Sequence, residues 1–133
     1  MEKEITLDAK VESIETLTAF VEDFLESSGG SPKSIMQISV ALDEIVSNIV
    51  NYSGTKDYTV KVSLEQDSLV ASVTFIDKGV PYDPLKKDDP DTTLSAEERE
   101  IGGLGIFLVK KTMDDMQYFR EGDKNILILK KHL

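Results

Sequence analysis

Three short groups of residues have the types and spacing to do chemistry. In the run Ala41 to Asn51, Glu44, Asn48 and Asn51 fall four and three positions apart. On a helix turning about 100° per residue they share one side. A carboxylate and a carboxamide one turn apart suit a hard cation such as Mg²⁺, which keeps several waters and completes its shell with substrate phosphates. The same spacing also describes an ordinary solvated helix face. The second group, Asp77-Lys78-Gly79, follows an apolar strand pattern. There the carboxylate can accept a hydrogen bond from an exocyclic amine such as that of adenine, and Gly79 lets the backbone approach a flat ring. An Asp-x-Gly turn is the plainer reading. The third, Gly102-Gly103-Leu104-Gly105, leads into a helical pattern. A glycine-rich helix start offers free N–H groups and the positive end of the macrodipole, both suited to phosphate. It lacks the Gly-Lys-Ser/Thr of a Walker A loop and the strand that precedes a dinucleotide fingerprint. A hinge between a loop and a helix fits it equally well.

The surrounding periodicity predicts the elements that carry these groups. Residues 4–8 alternate as a short strand. Val11, Ile14, Leu17, Val21, Phe24 and Leu25 form a helical stripe that Gly29 and Gly30 end. Ser31-Pro32 is an N-cap with proline at the first helical position. Ile35, Ile38, Leu42, Ile45 and Ile49 mark the inward side of the helix it opens, which the pattern extends to about Tyr52 before Ser53-Gly54 stops it. Two alternating runs, Tyr58 to Leu64 and Leu69 to Ile76, flank the turn 66–68 as a hairpin. Residues 80–102, with three of the four prolines and no strand period, read as a lid. Within it, Ser95 to Glu98 resembles a capping box. A helix follows from Gly103 to Met113, then strands near 116–120 and 125–130 around a Gly122-Asp123 turn. Paired strands with helices grouped between them predict an α+β fold: a two-layer sandwich, its mixed and mostly antiparallel sheet carrying helices on one face, in a single domain over 1–133.

Composition narrows the function classes. A net charge of −10 argues against general nucleic-acid binding, where phosphate rewards dense lysine and arginine. Cysteine is absent, which excludes disulfides, thiolate metal sites and thiol nucleophiles. No apolar run approaches the ~20 residues that span a bilayer. Met1-Glu2-Lys3-Glu4 has neither the basic start nor the apolar stretch of a signal peptide, so a cytoplasmic address away from membranes is expected.

Taken in order, Glu44-x-x-x-Asn48, Asp77-x-Gly79, a lid and Gly103-x-Gly105 resemble the N box, first glycine box and second glycine box of the GHKL ATPase superfamily, with its Bergerat ATP pocket. Within it the chain is most similar to the anti-sigma factor serine/threonine kinases of the SpoIIAB and RsbW type, especially over Gly102 to Asp114. The resemblance implies ATP and Mg²⁺ as cofactors. It implies that Asn48 coordinates Mg²⁺, that Glu44 is the general base toward an attacking serine hydroxyl, and that Asp77 receives the adenine amino group with Gly79 beneath the ring. It implies that Gly103, Leu104 and Gly105 meet the phosphates. The partners it implies are a STAS-domain anti-sigma factor antagonist, phosphorylated on serine, and a sigma factor held in alternation; the family is commonly homodimeric.

Departures from the pattern leave other readings in place. Ile101 stands where some relatives carry a basic residue, with Arg99 two positions earlier. Asn51-Tyr52-Ser53 replaces a histidine-bearing segment, and Asn51 has no assigned role. Lys86, Lys87, Lys110 and Lys111 are within reach of phosphate in principle but fit plain solvated charge. The alternatives are a non-catalytic ATP-binding switch, a detached histidine-kinase catalytic domain whose only histidine is His132, and a structural domain without nucleotide.

Overall fold

The computed structural model describes residues 2–86 and 103–133. Its elements follow in the order β1 (Glu2–Asp8), α1 (Ser13–Ser27), α2 (Pro32–Asn48), β2 (Asp57–Glu65), β3 (Val70–Asp77), α3 (Gly103–Thr112), β4 (Asp115–Glu121) and β5 (Lys124–His132). The five strands make one sheet in the order β1-β2-β3-β5-β4. All four pairings are antiparallel, so the expected mostly antiparallel sheet is antiparallel throughout. Of the expected lid, residues 80–86 are described and include a short 3₁₀ turn, Pro84–Lys86, while residues 87–102, with the capping box, Lys87, Arg99, Ile101 and Gly102, lie outside the described residues.

Period-two alternation decides which side of the sheet is dry. Tyr58, Val60, Val62 and Leu64 of β2, Ala71, Val73 and Phe75 of β3, and Leu127 and Leu129 of β5 are buried. Register brings them side by side, with Val60 opposite Phe75, Val62 opposite Val73, and Phe75 opposite Leu127. The apolar stripes of the three helices complete the same core through Leu17, Val21, Leu42, Ile45, Ile106 and Val109, among others. The helices thus form a second layer on one face. Each fully buried Leu, Ile or Val contributes about 1.5–3 kcal/mol by leaving water.

Helix ends follow local chemistry. Past α1, Gly29 takes φ of +85°, and the N–H groups of Gly29 and Gly30 close onto the carbonyls of Glu26 and Leu25 at 3.1 and 2.9 Å. That is a Schellman end, which needs a left-handed residue. Ser31 caps α2, its Oγ accepting from the Ser34 N–H at 3.2 Å, with Pro32 at the first helical position.

Two local expectations are corrected. The helix expected to run to Tyr52 changes at Asn48 into a π-helical turn over Ile49–Ser53, closed by Gly54 at φ of +72°. Leu69, expected in a strand, belongs to the turn with φ of +55° and is exposed, so β3 begins at Val70.

Packing and burial make three outcomes testable. Leu42 is 0 % exposed, and Leu42→Ala should cost about 2–5 kcal/mol in urea unfolding. The exposed α2 residue Met36 should tolerate alanine within about 0.5 kcal/mol. Burial pushes the Tyr58 phenol above its ordinary value of 10.0, opposed by a 2.5 Å hydrogen bond with Ser13 Oγ. Because the folded pKa is the higher one, this contribution is fully present below pH 10 and lost as pH rises through the folded pKa. Tyr58→Phe should flatten the alkaline fall in stability measured from pH 9 upward.

Candidate functional site

The carboxyl end of β3 meets the π-helical turn and the start of β5 around a small cavity. Ile45, Asn48, Ser53, Phe75, Asp77, Tyr82 and Asn125 are among its lining residues. Asp77, the last residue of β3, is 6 % exposed, and its Oδ1 accepts three hydrogen bonds. Ser53 Oγ donates at 2.7 Å, the Gly79 N–H at 2.8 Å and Asn125 Nδ2 at 3.1 Å. A buried carboxylate needs such donors to offset its lost hydration. All three fall on one oxygen, which leaves Oδ2 as the acceptor for a ligand.

Gly79 has a tighter constraint than ring stacking alone. A Cβ there would lie 1.8 Å from Ser53 Oγ and 2.2 Å from its carbonyl oxygen. The segment after β3 is therefore pressed against the end of the α2 span, and Val80 N–H donates to the Ser53 carbonyl at 2.8 Å. Arg120 Nη1 donates to the Gly79 carbonyl at 2.7 Å. Tyr82 stacks on Tyr52 with ring centroids 5.3 Å apart.

On α2, Glu44 and Asn48 sit one turn apart, about 6 Å along the axis. Asn48 is 6 % exposed, and its Nδ2 has no hydrogen-bond partner among the described residues. Turning the amide over presents Oδ1 at the same place. Asn48 is therefore a buried polar group on a cavity wall, in place of the solvated face that spacing alone allows. Asn51 does not join it. The wider π-helical turn puts Asn51 on the exposed surface, so the shared face of Glu44, Asn48 and Asn51 is broken after Asn48.

Glu44 reaches α3. A Cβ at Gly105 would lie 2.2 Å from the Glu44 carboxyl carbon and Oε2. The carboxylate thus rests in the first turn of α3, at the positive end of that helix, and the absent side chain of Gly105 makes the room. Gly103 opens the helix, followed by Leu104. Lys110 and Lys111 occupy its last turn, about 10 Å from that end. Lys111 Nζ lies 5.3 Å from the centre of the Phe107 ring. Lys86 ends a short 3₁₀ turn, Pro84–Lys86.

Sequence reasoning missed Ser53, Tyr118 and Asn125. The signal for Asn125 was present: it is a polar residue at an inward position of the strand that buries Leu127 and Leu129. Ser53 gave none, since it reads as a helix stop.

The two glycines should respond differently to a methyl group. Gly79→Ala meets the Ser53 backbone and should cost at least about 1–3 kcal/mol in denaturant unfolding. Gly105→Ala meets only the far end of a flexible side chain. It should keep stability within about 1 kcal/mol while displacing Glu44, which the Glu44 side-chain NMR shifts would report.

Comparison with known proteins bears on the fold and the family. A family model described as a histidine kinase-like ATPase domain matches residues 7–131. The serine-protein kinase RsbW of Listeria monocytogenes serovar 1/2a is 31% identical over 127 residues, covering 89% of this chain and 80% of its own. The serine/threonine-protein kinase BtrW of Bordetella bronchiseptica is 28% identical over 97 residues, 71% of this chain and 68% of its own. Among solved structures, the RsbU and RsbW domains of Rv1364c from Mycobacterium tuberculosis align with a TM-score of 0.72 at 19% identity, over 100% of this chain. The histidine kinase domain from the Erythrobacter litoralis EL346 blue-light activated histidine kinase aligns with a TM-score of 0.54 at 12% identity, over 90% of it. The chain spans 32% and 61% of those two chains, and both show the fold. With a match across nearly its whole length, and curated likenesses among serine-protein kinases of the RsbW type, the chain belongs to the histidine kinase-like ATPase family.

Proposed function

We propose that this protein is an ATP-binding serine/threonine protein kinase that phosphorylates a STAS-domain anti-sigma factor antagonist and alternately sequesters a sigma factor. The observation that carries the reading is the placement of Glu44 and Asn48 on one helix. One side chain lies in the glycine-built start of α3, and the other on the cavity that Asp77 closes. A nucleotide whose base meets Asp77 and whose phosphates meet Gly103, Leu104 and Gly105 passes Asn48 on the way.

In this reading Asp77 Oδ2 accepts from the adenine amino group, and Gly79 keeps the backbone close beneath the ring. Asn48 is the residue that would hold Mg²⁺, since its buried amide has an unpartnered end. No group of three or more His, Cys, Asp or Glu side chains suited to a metal occurs among the described residues. One carboxamide with substrate phosphates and waters is a donor set that Mg²⁺ accepts. When bound, the ion neutralises phosphate charge. Glu44 takes the proton from the substrate serine hydroxyl, the serine oxygen bonds the γ-phosphorus, and the bond to the β-phosphate oxygen breaks to release ADP. Phosphoryl transfer is mostly positioning and charge stabilisation, so few groups are needed. The chain acts as one ATP-binding domain over 1–133. No described helix is long and apolar enough to cross a membrane. The cytoplasmic address comes from composition and resemblance, and the homodimer from resemblance alone.

ATP·Mg²⁺ at a hundred times its Kd should add about 2.7 kcal/mol to the folded state, raising the melting temperature by roughly ten degrees. Labelled ATP should pass its phosphate to a serine of the cognate STAS-domain protein. Glu44→Ala should slow this by about 10²–10⁴-fold while the melting shift persists. A melting shift without transfer would leave the non-catalytic switch, and acid-labile phosphohistidine on a partner would indicate the histidine-kinase domain. No shift at millimolar ATP would overturn the site.

A further inference from the structure

We propose that Asn125 is a positioning residue that sets the base specificity of the nucleotide site, by deciding which oxygen of Asp77 is left to meet the base. The inference rests on the ATP reading above. Asn125, near the start of β5, is 4 % exposed. Its Nδ2 donates to Asp77 Oδ1 at 3.1 Å and to the Val80 carbonyl at 2.8 Å. Its Oδ1 accepts from the Tyr82 N–H at 3.3 Å and from the Tyr118 hydroxyl. A carboxamide has two N–H donors and two lone pairs on oxygen, so its capacity is filled by protein.

Two consequences follow. The amide has one orientation: reversed, it would set its oxygen against the Asp77 carboxylate and the Val80 carbonyl, and its NH₂ against the Tyr82 N–H. With no hydrogen bond left to offer a ligand, Asn125 acts only through what it holds. On one side it occupies Oδ1 of Asp77 together with Ser53 and Gly79, leaving Oδ2 as a pure acceptor. On the other it ties the segment from Val80 to Tyr82, whose Tyr82 lines the same cavity. A fixed acceptor takes the amino group of adenine and opposes the carbonyl oxygen that guanine presents at the equivalent position. Sites built to satisfy one hydrogen-bonding pattern reject the other strongly, because the buried group is left unpaired.

The test compares wild type, Asn125→Ala and Tyr118→Phe in affinity for ATP, GTP and tripolyphosphate, the last lacking a base. Wild type should prefer ATP. Asn125→Ala should weaken ATP by about tenfold and leave GTP and tripolyphosphate unchanged, so that the ATP:GTP ratio falls by the same factor. Tyr118→Phe keeps both Nδ2 bonds and should lower the ratio less, in the same direction. A folded Asn125→Ala with the wild-type ratio, an equal loss of tripolyphosphate, or a wild type indifferent to the base would overturn the proposal while leaving nucleotide binding intact. Should Asn125→Ala fail to fold, an unchanged ratio in Tyr118→Phe overturns it. If wild type binds no ATP, it is the kinase reading that falls, and this one with it.

Discussion

A single carboxylate oxygen joins the two layers of this protein at its site. Asp77 Oδ1 receives Ser53 from the end of the helical layer, Gly79 from the segment after β3, and Asn125 from β5. A carboxylate taken out of water loses hydration worth many kcal/mol, so the fold must supply donors or expel the group. Here it supplies three from three parts of the chain. The contact between Gly79 and Ser53 follows from it, since only a residue without Cβ lets the strand end come close enough to the helix end. The cavity wall is then set, with Asn48 and Asn125 both among its lining residues.

The change of helix type after Asn48 belongs to the same constraint. A continuous α-helix would have carried Asn51 and Ser53 onward at 100° per residue. The π-helical turn over Ile49–Ser53 leaves Asn51 exposed and delivers Ser53 buried against Asp77. Such turns cost helix geometry and are found most often where a site needs a side chain re-aimed. α2 itself stays regular to its end at Asn48, which keeps Glu44 and Asn48 in step and presents one to α3 and the other to the cavity.

Glu44 shows how α3 and α2 share one electrostatic arrangement. Its carboxylate occupies the first turn of α3, where the helix field favours negative charge. The lysines of α3 stand at the opposite end, where the same field favours cations. The absent side chain of Gly105 is what lets the Glu44 carboxylate reach that anion-favouring end.

Much of this was legible in the chain itself. Period-two and 3.6-residue apolar patterns located the strands and helices, because burial of one face is a local and repeating demand. Ser31-Pro32 and Gly29-Gly30 marked helix ends through capping chemistry that needs no tertiary partner. The order of Glu44, Asn48, Asp77, Gly79, Gly103 and Gly105 was sufficient to bring the family into view. Tertiary structure alone decided what those residues touch. That Gly79 yields to Ser53, that Gly105 makes room for Glu44, that Leu69 turns rather than extends, and that Asn125 completes Asp77 all depend on contacts between residues 26 to 61 positions apart or on a turn between paired strands. Repeating hydrophobicity encodes which side of an element is dry. It carries no record of which polar atom will face which across the core, because that is settled only when register and helix packing bring distant segments to within about 3 Å.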